Sequence, residues 1–592
     1  MTPQTDARPL NLVSLCTLAL FVGIVAGFGA VVFRALIAFI HNLLFLGQIS
    51  FVYEANIFTS PSPWGPLVIL VPIVGGMFVV FLVNNFAPEA KGHGVPEVMD
   101  AIFYKEGRIR PVVALVKSLA SALSIGSGAA VGREGPIIQI GSSFGSTLGQ
   151  IIKMPPWQRI TLVAAGAGAG IAATFNTPLG GVMFAAEIMM PEVSPRTFLP
   201  VVIATGAATY IGRLFFGVHP AFEVPPLQIA DVRMIGAAAL TSFVVLGVLC
   251  GLASWAFIRV LYWMESIFPK IPGNDYLRHA IGMALVGTMM YALMLTQGHY
   301  FIEGVGYATI QSILKENTTS IALLAVLFVG KLLATTISLG SGSSGGIFSP
   351  SLFMGATLGG AFGGLMEIVL PGAGVGVGEA AIVGMAAVVG GATGGAMTAI
   401  VMIFEMTRDY NVMVPAILAV AACLGVRRVL SEENIYTIKL ARRGKRLPKY
   451  RYANMYAVRF AHEVMNKDVV RFEARTPLTQ VISELAGAPP ATHLLATHDK
   501  RVVGVVQWGG VLQSLEGVNT SKTLGDVARK DFVLAREGDI LHDVMNRLSR
   551  HRATLALVTR GHGVPRVDAI LGVISLEDIG ESVIETHRQL AS

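Results

Sequence analysis

Between residues 11 and 430 the chain is a succession of apolar runs long enough to cross a bilayer, among them 12–40, 66–83 and 234–263. Roughly twenty apolar residues in helical form match a hydrocarbon core ~30 Å thick, so a chain with many such runs places them in lipid. In that solvent a backbone must satisfy its own hydrogen bonds, and runs of this length select helices. Composition agrees: a mean hydropathy of +0.64 and 14% charged residues leave too little charge to wet a soluble chain of 592 residues. Beyond about residue 439 the charge density rises and the apolar runs shorten, so a water-soluble tail follows the membrane part. The expected division is 1–438 membrane domain, 439–460 basic linker, and two tail blocks at 461–520 and 521–592.

The seam is basic. Arg427, Arg428, Lys439, Arg442, Arg443, Lys445, Arg446 and Lys449 carry much of the net charge of +7. Lys and Arg just past a last span mark the cytoplasmic side, so the tail is expected in the cytoplasm. The excess charge therefore speaks for membrane topology and not for a nucleic-acid partner. The first apolar stretch is too long for a signal-peptide core, has only Arg8 before it, and reads as a retained span. Cys16, Cys250 and Cys423 lie in apolar runs without metal-ligand spacing and read as small buried side chains. The histidines are scattered and nothing resembles a P-loop or nucleophile elbow, so no enzyme is expected. The expected location is a prokaryotic inner or plasma membrane.

The membrane part matches itself. Residues 117–149 align with 331–363 at a constant offset, with identities that include Lys117/Lys331, Gly126/Gly340, Gly132/Gly346, Pro136/Pro350, Gly141/Gly355 and Gly145/Gly359. A second match aligns 166–189 with 384–407 and sets Glu187 opposite Glu405. The expected fold is an all-α polytopic domain built from two inverted repeats, with a substrate site between them formed by helices broken near the midplane. The apolar segments between Pro136 and Glu187, punctuated by Gly and Pro, look too short to cross.

The repeated motif is G-R-E-G-P at 132–136 and G-I-F-S-P at 346–350, each followed by an apolar run. Proline fits the first turn of a helix, and glycine ahead of it lets free backbone N–H groups face a ligand. A helix N-terminus carries roughly half a positive charge and up to four unpaired donors, so two converging starts make a site for an anion. A full positive charge there would hold the anion too tightly for rapid release. A third stretch, G-H-G-V-P-E at 92–97, has the same character. Glu134 stands inside one of these starts; a carboxylate at that depth is a functional residue by default. When ionised it can take the anion's place, and when protonated or displaced it can swing away, which makes it a gate and a candidate proton carrier.

These motifs, with F-N-T-P-L-G-G at 175–181 and E-M-T-R-D-Y at 405–410, resemble the CLC family of chloride channels and chloride/proton exchangers over the whole membrane part. The resemblance implies a homodimer with one anion pathway per subunit. It implies that Glu134 gates, that Gly132, Arg133, Gly135 and Gly346 shape the anion site, that the amides of Ile347 and Phe348 bind the central anion, and that Tyr436 closes the inner side. Two positions depart. The anion-coordinating serine is His93, whose imidazole donates one N–H when neutral and adds charge when protonated. The inner proton carboxylates are Ile188 and Met99, and neither side chain passes a proton. Their loss favours a passive chloride channel; the alternative is a chloride/proton exchanger with a non-glutamate inner path, and a third reading is a nucleotide sensor with vestigial transport. Pro136 argues against the fluoride branch. No cofactor is required by these readings, chloride being the transported ligand.

Beyond residue 461 short β-branched strands alternate with amphipathic helices in two similar blocks, which indicates α/β units. The order and the closing G-V-I-S-L-E-D-I resemble tandem cystathionine-β-synthase (CBS) domains. That resemblance implies an adenine nucleotide whose ribose is held by Asp578 of S-L-E-D at 575–578; a plain helix N-cap is an equal reading. The first block has Gln507 to Gly510 there, with no acid.

Overall fold

The computed structural model describes residues 9–225, 236–371, 374–445, 447, 458–485, 493–508, 522–561 and 566–591. Arg446 and Lys449 of the basic seam, and Gly510 of the first tail block, lie outside the described residues. The chain divides into two compact units, 1–447 and 448–592.

The first unit is helical. The first repeat and the helices before it run α1 (Leu12–Leu46), α2 (Leu70–Phe86), α3 (Val95–Tyr104), α4 (Val112–Gly126), α5 (Glu134–Ile151), α6 (Pro156–Phe175), α7 (Pro178–Phe184) and α8 (Pro195–Phe216). The second runs α9 (Ala237–Ile267), α10 (Asp275–Gln297), α11 (Tyr307–Leu314), α12 (Ile321–Ser341), α13 (Phe348–Val369), α14 (Val377–Thr393), α15 (Ala396–Thr407) and α16 (Met413–Leu430), with α17 (Thr437–Arg442) closing the unit. Among the described residues eight helices are long and apolar enough to cross a membrane, as a multi-pass integral membrane protein requires.

The stretch from Pro136 to Glu187 contributes none of those eight helices, as expected, but its helices are longer than its apolar runs. It holds α5 of 18 residues and α6 of 20; only α7, of 7 residues and followed by a wide π-turn at Ala185–Met189, is short. The glycines in α5 and α6 are contact points, not breaks. A Cβ on Gly141 would stand 2.2 Å from the Gly166 carbonyl oxygen, and one on Gly166 would stand 2.1 Å from that of Gly141. The second repeat packs α13 on α14 in the same way, with Gly355 and Gly384 meeting each other's carbonyls at 2.4 and 2.3 Å. Close backbone approach through small residues is how helices pack where the hydrophobic effect between them is absent, and it offsets the helix propensity that glycine lacks.

The repeats also exchange caps. Glu187 accepts from the backbone N–H groups of Met397 at 3.2 Å and Thr398 at 2.8 Å, at the start of α15. Its counterpart Glu405 accepts from Leu179 at 3.1 Å and Gly180 at 2.7 Å, at the start of α7. Each carboxylate satisfies donors that a helix start leaves unpaired.

The second unit holds α18 (Ala461–Val464), α19 (Leu478–Glu484), α20 (Leu524–Val527), α21 (Leu541–His551) and α22 (Leu576–Ala591) around two three-stranded sheets. In one, β1 (Val469–Glu473) pairs parallel with β2 (His493–His498), which pairs antiparallel with β3 (Arg501–Gln507). The other repeats that order with β4 (Phe532–Arg536), β5 (Leu555–Thr559) and β6 (Ile570–Ser575). Leu495 and Val505 of one sheet meet Leu557 and Val573 of the other in a shared core. Ala461 of α18 packs with Val533 and Ile574 of the second sheet, while Leu524 of α20 packs with Leu494 and Trp508 beside the first. Each half lends its first helix to the other, so the two blocks fold as one body.

Candidate functional site

Three glycine-marked helix starts are tied together by backbone hydrogen bonds. Gly132 donates to the carbonyl of Gly346 at 2.8 Å and Gly346 returns the bond at 2.5 Å. Gly92 donates to Ser343 at 3.2 Å, and Gly345 donates to Gly92 at 3.3 Å. The starts of α3, α5 and α13 are thereby fixed at one point. A Cβ on Gly135 would lie 2.2 Å from the carbonyl oxygen of His93, and one on Gly346 would lie 2.7 Å from the Gly135 nitrogen. These glycines serve by having no side chain.

Glu134 is fully buried and its carboxylate lies at the start of α13. Oε2 accepts the backbone N–H of Ser349 at 3.1 Å, and Oε1 accepts the hydroxyls of Tyr307, at 2.5 Å, and Ser349. A Cβ on Gly132 would stand 2.3 Å from Oε2, so any other residue there would evict the carboxylate. Ile347 is the N-cap residue of α13 and Phe348 its first residue, which puts their amides among the donors a helix start leaves free. The carboxylate thus takes the seat of an anion at a helix N-terminus, with no full positive charge bonded to it.

Arg133 does not pair with Glu134. Its guanidinium lies 5.0 Å from the centroid of the Tyr307 ring and its Nε has no hydrogen-bond partner among the described residues. It lines a cavity with Arg34, His41, Tyr53 and Glu303. On the other side His93 is fully buried, its ring centroid 5.9 Å from that of Tyr436. Tyr436 is itself buried and is held by Asn434, whose Oδ1 accepts the amides of Tyr436 and Thr437 at 2.9 Å each. The hydroxyl of Tyr262 donates to the Ile435 carbonyl at 2.6 Å and stands 3.4 Å from His93 Nε2.

Ile188 and Met99 are both buried apolar side chains, 3% and 0% exposed. Ile188 lies beside Gly395, ahead of α15, next to the capping Glu187. In the tail, Asp578 Oδ2 accepts the Ser575 N–H and hydroxyl, each at 2.6 Å, and Ser575 Oγ accepts the Asp578 N–H at 3.2 Å. That is a reciprocal helix cap.

Tyr307 and Tyr262 join the site from outside the glycine–proline motifs, and Ser349 joins it as the serine of G-I-F-S-P. The signal for Tyr307 was the G-V-G at 304–306, which precedes α11 as G-H-G at 92–94 precedes α3. Buried lysines make the correspondence physical. Lys117 Nζ donates to the carbonyls of Ala90 at 3.0 Å and Gly92 at 2.7 Å, and Lys331 Nζ donates to Ile302 and Gly304 at 2.8 Å each. Each repeat thus holds its glycine loop with one ammonium group.

The family model for voltage-gated chloride channels matches residues 75–428. A Yersinia pseudotuberculosis protein named H(+)/Cl(-) exchange transporter ClcA is 31% identical over 444 residues, 74% of this chain and 88% of that one. The crystal structure of a slow cyanobacterial Cl-/H+ antiporter superposes with a TM-score of 0.63 at 26% identity, covering 74% of this chain and 99% of that one. A eukaryotic CLC transporter structure covers 96% of this chain and 98% of its own at a TM-score of 0.61; at 19% identity it speaks to the fold alone. With a family model over more than half its length and a relative of this extent, the chain belongs to the CLC family and its membrane unit is a CLC anion-transport domain.

Proposed function

We propose that the chain exchanges chloride for protons across the membrane, with Glu134 as gate and proton carrier, in place of the passive channel that Ile188 and Met99 suggest. The position of the Glu134 carboxylate carries the reading. It rests where a chloride ion would, held by the amide of Ser349 and by two hydroxyls. Ionised, it competes with chloride for those donors. Protonated, it loses most of that attraction, and chloride displaces it together with its proton. Alternate occupancy of one seat by chloride and by a carboxylate links the two fluxes, because each ion leaves only when the other arrives. The names of the relatives favour exchange over a channel.

As part of the same proposal, the protein works as a homodimer with one pathway per subunit, and the tail is a cytoplasmic CBS pair that takes an adenine nucleotide. In proteoliposomes loaded with chloride, with the membrane potential shunted, outward chloride flow drives protons inward against their gradient. Glu134→Ala abolishes the proton movement and leaves chloride to leak. Chloride flow without proton movement in the wild-type protein contradicts the proposal.

A further inference from the structure

Exchange needs a proton to reach Glu134 from the side of the basic seam, and Ile188 and Met99 leave no carboxylate at the family's inner positions. The titratable group that the fold sets under the anion site is His93. Its imidazole is fully buried. Nδ1 has no hydrogen-bond partner among the described residues, and Nε2 has only the Tyr262 hydroxyl, at 3.4 Å. Leaving a buried polar nitrogen unpaired is costly, so an orphan at this site calls for a ligand or a use. The Tyr436 ring lies 5.9 Å from the imidazole between centroids, and the His93 carbonyl abuts Gly135, the residue after Glu134. Tyr262 and Glu265 stand three positions apart on α9, so they share one face of that helix. Lys117 of α4, Lys439 of α17 and Arg443 just beyond it are the cations that face His93.

We propose that His93 is the inner proton station of this transporter, passing protons between the Tyr262–Glu265 side and Glu134 across the anion site. This rests on the exchange reading above. A neutral imidazole carries one N–H and one bare nitrogen. It takes a proton at the bare nitrogen, releases the other proton toward the Glu134 carboxylate, and returns to its first tautomer by a ring turn; inward and outward steps are mirror images. No carbon–nitrogen bond changes and no further reactant enters.

The test is the proton-to-chloride ratio of the full chain in proteoliposomes, which does not depend on the absolute turnover. His93→Ser and His93→Gln fill the site with groups that donate hydrogen bonds and do not titrate; Tyr262→Phe removes the neighbouring hydroxyl and keeps the ring. Chloride flux by each variant reports that it is folded. With the proposal correct, the ratio falls at least tenfold in both His93 variants, and Tyr262→Phe slows proton flux more than chloride flux. An unchanged ratio in His93→Ser and His93→Gln overturns the proposal and leaves exchange standing. A wild-type ratio of zero overturns the exchange reading itself, and the two failures are distinct.

Discussion

Tyr307→Phe isolates the latch on the gate. The substitution deletes one hydroxyl, which donates to Glu134 Oε1 at 2.5 Å and lies 2.8 Å from Ser349 Oγ. The ring keeps its edge contact with Phe222, at 5.3 Å between centroids, and its place under the Arg133 guanidinium, so packing persists. A hydrogen bond to a charged, buried carboxylate contributes about 1.5–3 kcal/mol, or roughly 10- to 150-fold in the balance between seated and released gate. Ser349 still donates through its amide and hydroxyl, which sets the expectation at the lower end, about tenfold. In the proposed exchange cycle, a seated and ionised Glu134 blocks chloride. The variant is therefore expected to pass chloride faster than the wild type at neutral pH. Initial chloride efflux from proteoliposomes against external pH reads this directly. A Tyr307→Phe profile that superposes on the wild type, or lies below it at neutral pH, refutes the latch.

Gly141→Ala forces a methyl group to within 2.2 Å of the Gly166 carbonyl and is expected to cost about 1–3 kcal/mol or more, seen as a lowered Tm in detergent. Lys331→Met leaves the carbonyls of Ile302 and Gly304 without their donor; a loss of roughly 2–5 kcal/mol is expected by the same measurement, with chloride transport lost as the loop ahead of Tyr307 relaxes. In the tail, burial pushes the Asp543 carboxyl up to about 6, with Arg547 opposing and Asp539 reinforcing the rise. A folded value above the unfolded one means that this contribution to stability is full below about pH 4 and is lost as pH rises through about 6. Hydrogen exchange at β4 and β5 is expected to quicken over that window, and Asp543→Asn to flatten the trend.

Much of the site was legible because its parts are chain-local. Gly132, Pro136, Gly346 and Pro350 announce helix starts by their own backbone chemistry, and the repeat announces that two such starts belong together. What brings them into contact is not chain-local. The paired bonds between Gly132 and Gly346, and the reciprocal caps of Glu187 and Glu405, join residues more than two hundred positions apart. Tyr307 sits in an ordinary-looking Y-A-T-I, and only the return of G-x-G ahead of a buried lysine marks its place. α5 and α6 run on past their apolar segments because glycine, a breaker in isolation, is between two helices the residue that allows contact. Asp578 shows the limit of a motif: S-L-E-D serves a helix cap in this fold with the same atoms that a ribose would recruit.

The most direct test of proton-coupled chloride transport is the voltage at which net chloride flux stops in proteoliposomes with equal chloride on both sides and a pH step across the membrane. An exchanger gated by Glu134 reverses away from zero, by an amount that follows the pH step, and Glu134→Ala brings the reversal back to zero. A wild-type protein that already reverses at zero conducts chloride alone, and the exchange account is then wrong.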